Sequence, residues 1–207
     1  DGGGSIRVPA ACCGVFGLKP SRGRNPSGPR ESEGWSGATA SHVISVSVRD
    51  SAAMLDATLG MELGAPFKVA PPEGSYLEAA GRDPRALRIG FSSKPMIPAT
   101  VHPEAVAGLE RTVALLEQLG HRVEEADPMV DSNQMWRDYI TVVMANTARK
   151  VEWIQTLGPR AYELLEPTTK ANARMGARLK AVDLLAALHG WHKVRLVMGE
   201  YLLGYDV

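Results

Sequence analysis

The residues most able to do chemistry stand at the start of the chain: Asp1-Gly2-Gly3-Gly4-Ser5-Ile6-Arg7-Val8-Pro9. Three consecutive glycines carry no side chain and are costly to order. They make sense where backbone N–H groups must point at a ligand and nothing bulky can stand in the way. Successive N–H groups in mixed right- and left-handed conformations form a concavity for negative charge. Beside a serine hydroxyl, such a concavity is an oxyanion hole next to a nucleophile. Ser5 is therefore the candidate nucleophile, and Gly2, Gly3 and Gly4, with the N–H of Ser5, are the candidate oxyanion hole. Asp1 and Arg7 flank the loop and are expected to pair, or to anchor its backbone. A phosphate-gripping loop would also use glycines, but no Gly-Lys-Ser/Thr follows. A Ser-His-Asp triad would want a Gly-x-Ser-x-Gly elbow, and Ser5 has none.

These residues continue into Cys13-Gly14, Gly17-Leu18-Lys19-Pro20 and Gly23-Arg24. The whole gapped run resembles the second half of the amidase signature, the mark of serine amidohydrolases with a Ser–cis-Ser–Lys triad. His42-Val-Ile-Ser-Val-Ser47-Val-Arg49-Asp50-Ser-Ala-Ala is a further family-like stretch, and the resemblance thins after about residue 60. The closing Tyr205-Asp206-Val207 resembles the start of a family strand. The Gly-Arg-Asn-Pro-Ser-Gly-Pro and Val-Arg-Asp-Ser-Ala contexts are similar to the branch that hydrolyses 6-aminohexanoate cyclic dimers.

The resemblance implies an α/β amidase-signature fold, a mixed β-sheet surrounded by helices. It implies an amidohydrolase that cleaves linear or cyclic carboxamides through an acyl-enzyme on Ser5, with no metal or organic cofactor. The base lysine and the middle serine of the family lie upstream of the glycine loop, and neither segment occurs here. The 207 residues therefore read as an internal fragment, inactive alone and prone to aggregate. Lys19 belongs to the structural Gly-Leu-Lys-Pro segment and is not expected to be the base. Two other readings compete: the amidase subunit of a tRNA-dependent amidotransferase, and an inactive fragment that only binds a ligand or partner.

Composition sets the outer limits. Basic and acidic residues number 23 each, so the net charge is zero. That leaves no electrostatic footprint for nucleic acid or an anionic membrane. No apolar run approaches the roughly 20 residues of a membrane span. The expected partner is a small-molecule amide, and a homo-oligomer is compatible with the sequence. Cys12 and Cys13 are adjacent, which suits neither an unstrained mutual disulfide nor zinc spacing. They read as small buried residues on a short helix. Without a disulfide framework, a cytoplasmic location is expected.

The chain reads as one partial amidase domain, with an α/β part over 1–130 and a helical excursion over 131–204. Residues 20–40 form a long irregular connection, and 61–74 a Pro/Gly-rich one. Short strands are expected at Val15–Leu18 and Val43–Val46. Ser47-x-x-Asp50 predicts a capped helix to about Leu59, stopped by Gly60. Ser75–Ala80 holds one or two helical turns. Leu87–Phe91, a helix over Pro103–Leu119 and a strand over His121–Glu125 predict a βαβ crossover with parallel strands. Its helix carries Val106, Leu109, Val113, Leu116 and Leu119 as an apolar stripe.

Beyond Asn133 the pattern is helical: one helix to about Leu157, a short one ended by Pro167, and a long one over Thr169–Leu203. Trp136, Tyr139, Met144, Trp153, Trp191 and Tyr201 are expected mostly in its core, with one or two lining an acyl pocket. His102 and His121 look structural. His189 and His192 share a helix face at a spacing a metal could use, although a plain histidine pair is the expectation.

Overall fold

The structure is a computed structural model and describes residues 1–28, 33–66, 68–97 and 99–207. Residues 29–32 of the long connection and residue 67 of the Pro/Gly-rich one lie outside the described residues, including the end of the Gly-Arg-Asn-Pro-Ser-Gly-Pro run. The chain forms two compact units, Asp1–Asp83 and Pro84–Val207.

In the first unit, helix α1 (Arg7–Cys13) leads to strand β1 (Phe16–Gly17). The helix ends at Gly14, whose φ of 64° is the left-handed cap that glycine provides. Ile6 and Ala10, one turn apart, face inward and are buried. β1 packs on that face, because a side chain at Gly17 would meet the Ala10 Cβ and the Ile6 carbonyl. The same geometry turns Cys12 and Cys13 outward. Both thiols are free and exposed, so the expectation that they are buried is corrected.

β1 pairs antiparallel with β2 (Ile44–Ser45). Helix α2 (Val48–Thr58) follows, its first turn capped by Ser47 Oγ, which accepts the Asp50 N–H at 3.1 Å. It ends because Leu59 turns extended, and Gly60 takes no left-handed cap. Ser51, Ala52 and Leu55 form its buried stripe. Its Asp56 carboxylate accepts the N–H groups of Tyr76 and Leu77 at 2.7 and 2.9 Å, which seats helix α3 (Tyr76–Ala80).

In the second unit, β3 (Arg88–Phe91), α4 (Pro103–Gln118) and β4 (Arg122–Glu125) form the expected crossover, with β3 and β4 parallel. The stripe on α4 is half-buried, except that Leu119 is exposed. On the other side of β3 runs the C-terminal segment: Asp206 N–H donates to the Arg88 carbonyl at 2.8 Å, and Gly90 N–H to the Val207 carbonyl at 3.0 Å. Tyr205-Asp206-Val207, expected to open a strand, thus lies hydrogen-bonded along β3, although these three residues are not themselves a strand.

Helix α5 (Ser132–Gln155) is the spine of the helical block, and α6 (Pro159–Glu163) follows the Gly158-Pro159 break. The expected long helix is two: α7 (Pro167–Gly176) and α8 (Ala181–Leu202), both packed on α5. Pro167 opens α7 instead of ending a helix, as proline's fixed φ allows at a first turn. The break at 177–180 is sealed by the Asp183 carboxylate, which accepts the Lys180 N–H at 2.8 Å.

The block's buried positions are mostly small: Val142, Ala148, Val151, Ala173, Gly176 and Ala187. A methyl at Gly176 would fall on the Met144 carbonyl, so α7 approaches the α5 backbone directly. The large aromatics are therefore not the core that their spacing suggested. Trp136 and Trp153 are exposed, and Tyr139, Trp191 and Tyr201 are half-buried, as is Met144. Among the described residues, no helix is long and apolar enough to cross a membrane.

Candidate active site

The Asp1 side chain is fully buried and acts as the hub of the glycine loop. Its Oδ1 accepts the Gly4 N–H at 2.7 Å and Arg7 Nη2 at 3.1 Å. Its Oδ2 accepts Ile6 N–H at 3.3 Å, Arg7 N–H at 3.4 Å and Arg7 Nε at 3.0 Å. A carboxylate that takes several N–H donors binds them more tightly than a neutral acceptor would. The Gly4 carbonyl accepts Val8 N–H at 2.7 Å, so α1 grows directly from the loop.

This arrangement decides which amides remain. Gly4 is buried, sits at φ 121° and has its N–H committed to Asp1. It holds the loop, where the sequence suggested a donor to the hole. Gly3 and Ser5 are exposed and Gly2 is half-buried. None of the N–H groups of Gly2, Gly3 and Ser5 meets a protein acceptor among the described residues. Ser5 stands on the turn that enters α1, between two buried neighbours, Gly4 and Ile6.

A second support comes from the left-handed turn Gly34–Gly37. Trp35 (φ 49°, ψ 48°) and Ser36 (φ 53°, ψ 39°) are the non-glycine residues at positive φ among the described residues. Such backbone costs about 1–2 kcal/mol per residue for an L-amino acid. The chain leaves the turn through Thr39 to Ala40, whose N–H donates to the Asp1 carbonyl at 3.1 Å, while the Asp1 amine donates to the Ala40 carbonyl. Sequence reasoning passed over Trp35 and Thr39. Gly34 and Gly37, bracketing two residues, were the available signal.

Lys19 Nζ donates to the Pro20 carbonyl at 2.9 Å. Burial holds its ammonium below the usual lysine range, and the charge of Arg7 adds to this. His42 Nε2 lies 2.8 Å from Ser51 Oγ, a pair that the sequence did not suggest. His102 and His121 each accept a backbone N–H: His102 Nδ1 accepts that of Glu104 at 3.3 Å, and His121 Nδ1 that of Leu87 at 3.2 Å. His189 and His192 stand with ring centres 6.5 Å apart, and no group of three metal-ligating side chains occurs among the described residues.

Residues 1–193, the glycine loop included, match the amidase family. The chain belongs to that family. It is 35% identical over 156 residues to the 6-aminohexanoate-cyclic-dimer hydrolase of Pseudomonas sp. (strain NK87), covering 73% of this chain and 32% of that protein. A solved structure of 6-aminohexanoate cyclic dimer hydrolase superposes with a TM-score of 0.89 at 27% identity, over 99% of this chain and 44% of that one. A bacterial aryl acylamidase of the amidase signature family superposes at 0.82 over 100% of this chain and 43% of its own; at 20% identity it speaks to the fold alone. The chain thus spans about a third of the length of that curated relative. Its α/β fold is the amidase-signature fold.

Proposed function

We propose that the protein carrying this chain is a serine amidohydrolase acting on small carboxamides. The observation that carries this reading is the Asp1 hub: it uses the Gly4, Ile6 and Arg7 N–H groups, while those of Gly2, Gly3 and Ser5 meet no protein acceptor among the described residues. Ser5 Oγ attacks the carboxamide carbon, and the carbonyl oxygen gathers negative charge. The free amides of Gly2, Gly3 and Ser5 receive that charge, and Gly4, Asp1 and Arg7 hold them in place. One such donor is worth about two to three powers of ten in rate.

The Ser5 proton passes to a Ser–Lys pair of the kind the family resemblance implies, supplied by residues outside this chain. That pair protonates the leaving amine, and water then releases the acyl group. The relative at 35% identity is named as a hydrolase, which favours a hydrolase over an ammonia-transferring subunit. Linear and cyclic aliphatic amides are the substrate class proposed, with 6-aminohexanoate cyclic dimer the first compound to assay. The two free thiols support a cytoplasmic location, which fractionation would check. Light scattering on the purified protein would read its oligomeric state.

Intact-mass labelling with a fluorophosphonate tests the nucleophile. The full-length protein should take one label, lost in Ser5→Ala and kept in Lys19→Met. A well-folded protein that takes no label, or keeps it in Ser5→Ala, rejects the assignment. Loss of the label in Lys19→Met would make Lys19 the base.

A further inference from the structure

Gly2 poses a physical problem for an oxyanion hole. The peptide between Gly2 and Gly3 carries one of the donors, and neither residue has a Cβ to restrict its rotation. Preorganised donors help a reaction because they need not reorient as charge develops. Something outside the glycines must therefore fix that peptide.

The structure shows what touches it. The position of a Cβ on Gly2 lies 3.0 Å from Trp35 Cε3, 3.1 Å from Trp35 Cζ3 and 3.0 Å from Thr39 Cγ2. The indole edge and a threonine methyl therefore lie against the glycine itself. Trp35 is held there by left-handed backbone, closed by Ala38 N–H to the Trp35 carbonyl at 3.2 Å and Thr39 N–H to the Gly34 carbonyl at 3.3 Å. Gly34 in turn packs against Thr39. Backbone of this kind persists only where its surroundings impose it.

We propose that Trp35 is a positioning residue for the oxyanion hole: its indole edge, set by the left-handed turn, fixes the Gly2–Gly3 peptide so that the Gly3 N–H faces the reacting carbonyl. Thr39 is the second jaw of the same clamp. The inference rests on Ser5 being the nucleophile.

The test uses the full-length protein with a simple carboxamide. Trp35→Asn removes the indole and leaves a residue that tolerates left-handed backbone. It should lower kcat about 10- to 100-fold, with KM within about twofold of wild type. A trifluoromethyl ketone, which mimics the tetrahedral oxyanion, should bind more weakly by the same factor. Trp35→Phe, which keeps a ring edge, should recover most of both. Wild-type kcat in Trp35→Asn, or a change in KM alone with ketone affinity intact, overturns the proposal. Should Trp35→Asn not fold, Thr39→Ser removes only the methyl on Gly2. It should cost about 3- to 10-fold in kcat, and no loss overturns the clamp. Fluorophosphonate labelling of wild type separates the two readings. No label on Ser5 ends the nucleophile assignment and the role of Trp35 with it, whereas a labelled Ser5 with unaltered Trp35 and Thr39 variants ends only the latter.

Discussion

The amide N–H of Gly4 points at the carboxylate of Asp1, 2.7 Å from Oδ1. Both carboxylate oxygens are fully engaged, each facing at least two N–H donors. In Asp1→Asn one oxygen becomes an NH₂, which meets donors whichever way the amide is turned. The expected result is a loss of about 1–3 kcal/mol in stability and of about 10- to 100-fold in the rate of fluorophosphonate labelling at Ser5. Denaturant melts and labelling kinetics on the same preparation check both. The Arg7 end of the pair is half exposed, so Arg7→Met should cost less.

Gly4 should be intolerant of any side chain. It sits at φ 121°, and a Cβ there would stand 2.8 Å from Val8 Cγ2. Gly4→Ala is expected to destabilise the protein by about 1–3 kcal/mol and to abolish labelling of Ser5. A melt within a degree of wild type would show that the loop relaxes without cost.

Two glycines of the helical block should respond differently to alanine. A methyl at Gly176 would meet backbone, the Met144 carbonyl, whereas one at Gly190 would meet the carboxylate end of Asp138. A side chain can rotate away and a packed helix cannot. Gly176→Ala should cost about 1–3 kcal/mol. Gly190→Ala should cost less, because alanine's helix preference of about 1 kcal/mol offsets part of the strain. Urea unfolding of the two variants gives the order.

His42 gives the first unit a pH-dependent term. Burial holds its imidazole below the ordinary value of 6.5, against the opposing pull of the Ser51 contact. The unfolded chain therefore binds the proton more readily than the folded one. The stability is whole above that value and is lost as pH falls below it, until the folded state also protonates. Thermal melts from pH 8 to pH 5 should show a decline that is shallower in His42→Gln. Equal slopes would remove His42 from the account.

The parts of the fold that were legible in the sequence are those fixed by local chemistry. Ser47 before Asp50, the short helix over Ser75–Ala80 and the stripe from Val106 to Leu116 sit where expected; the capping box of Ser75 and Glu78 is found only in the structure. The α7–α8 break was not legible, because a glycine inside a helical pattern reads as tolerated until the backbone it packs against is known. The aromatic core failed for a related reason. Helices that approach through Ala and Gly leave no room between them for Trp136 or Trp153. At the site, the motif named Ser5, Asp1 and Arg7. It could not tell that the Gly4 N–H turns inward to Asp1, nor that Trp35, thirty-odd positions away, lies against Gly2. Such contacts depend on tertiary approach, which spacing does not encode.

The left-handed turn bears on how this protein would change under selection. Glycine or asparagine at positions 35 and 36 would suit the observed φ values of 49° and 53° better than the residues present. A screen that rewards heat resistance alone should therefore enrich such replacements, and the winners should turn over substrate more slowly. A screen that rewards turnover should keep tryptophan and accept the lower melting point. Sequencing both pools at these two codons would show whether durability and speed compete at the same turn.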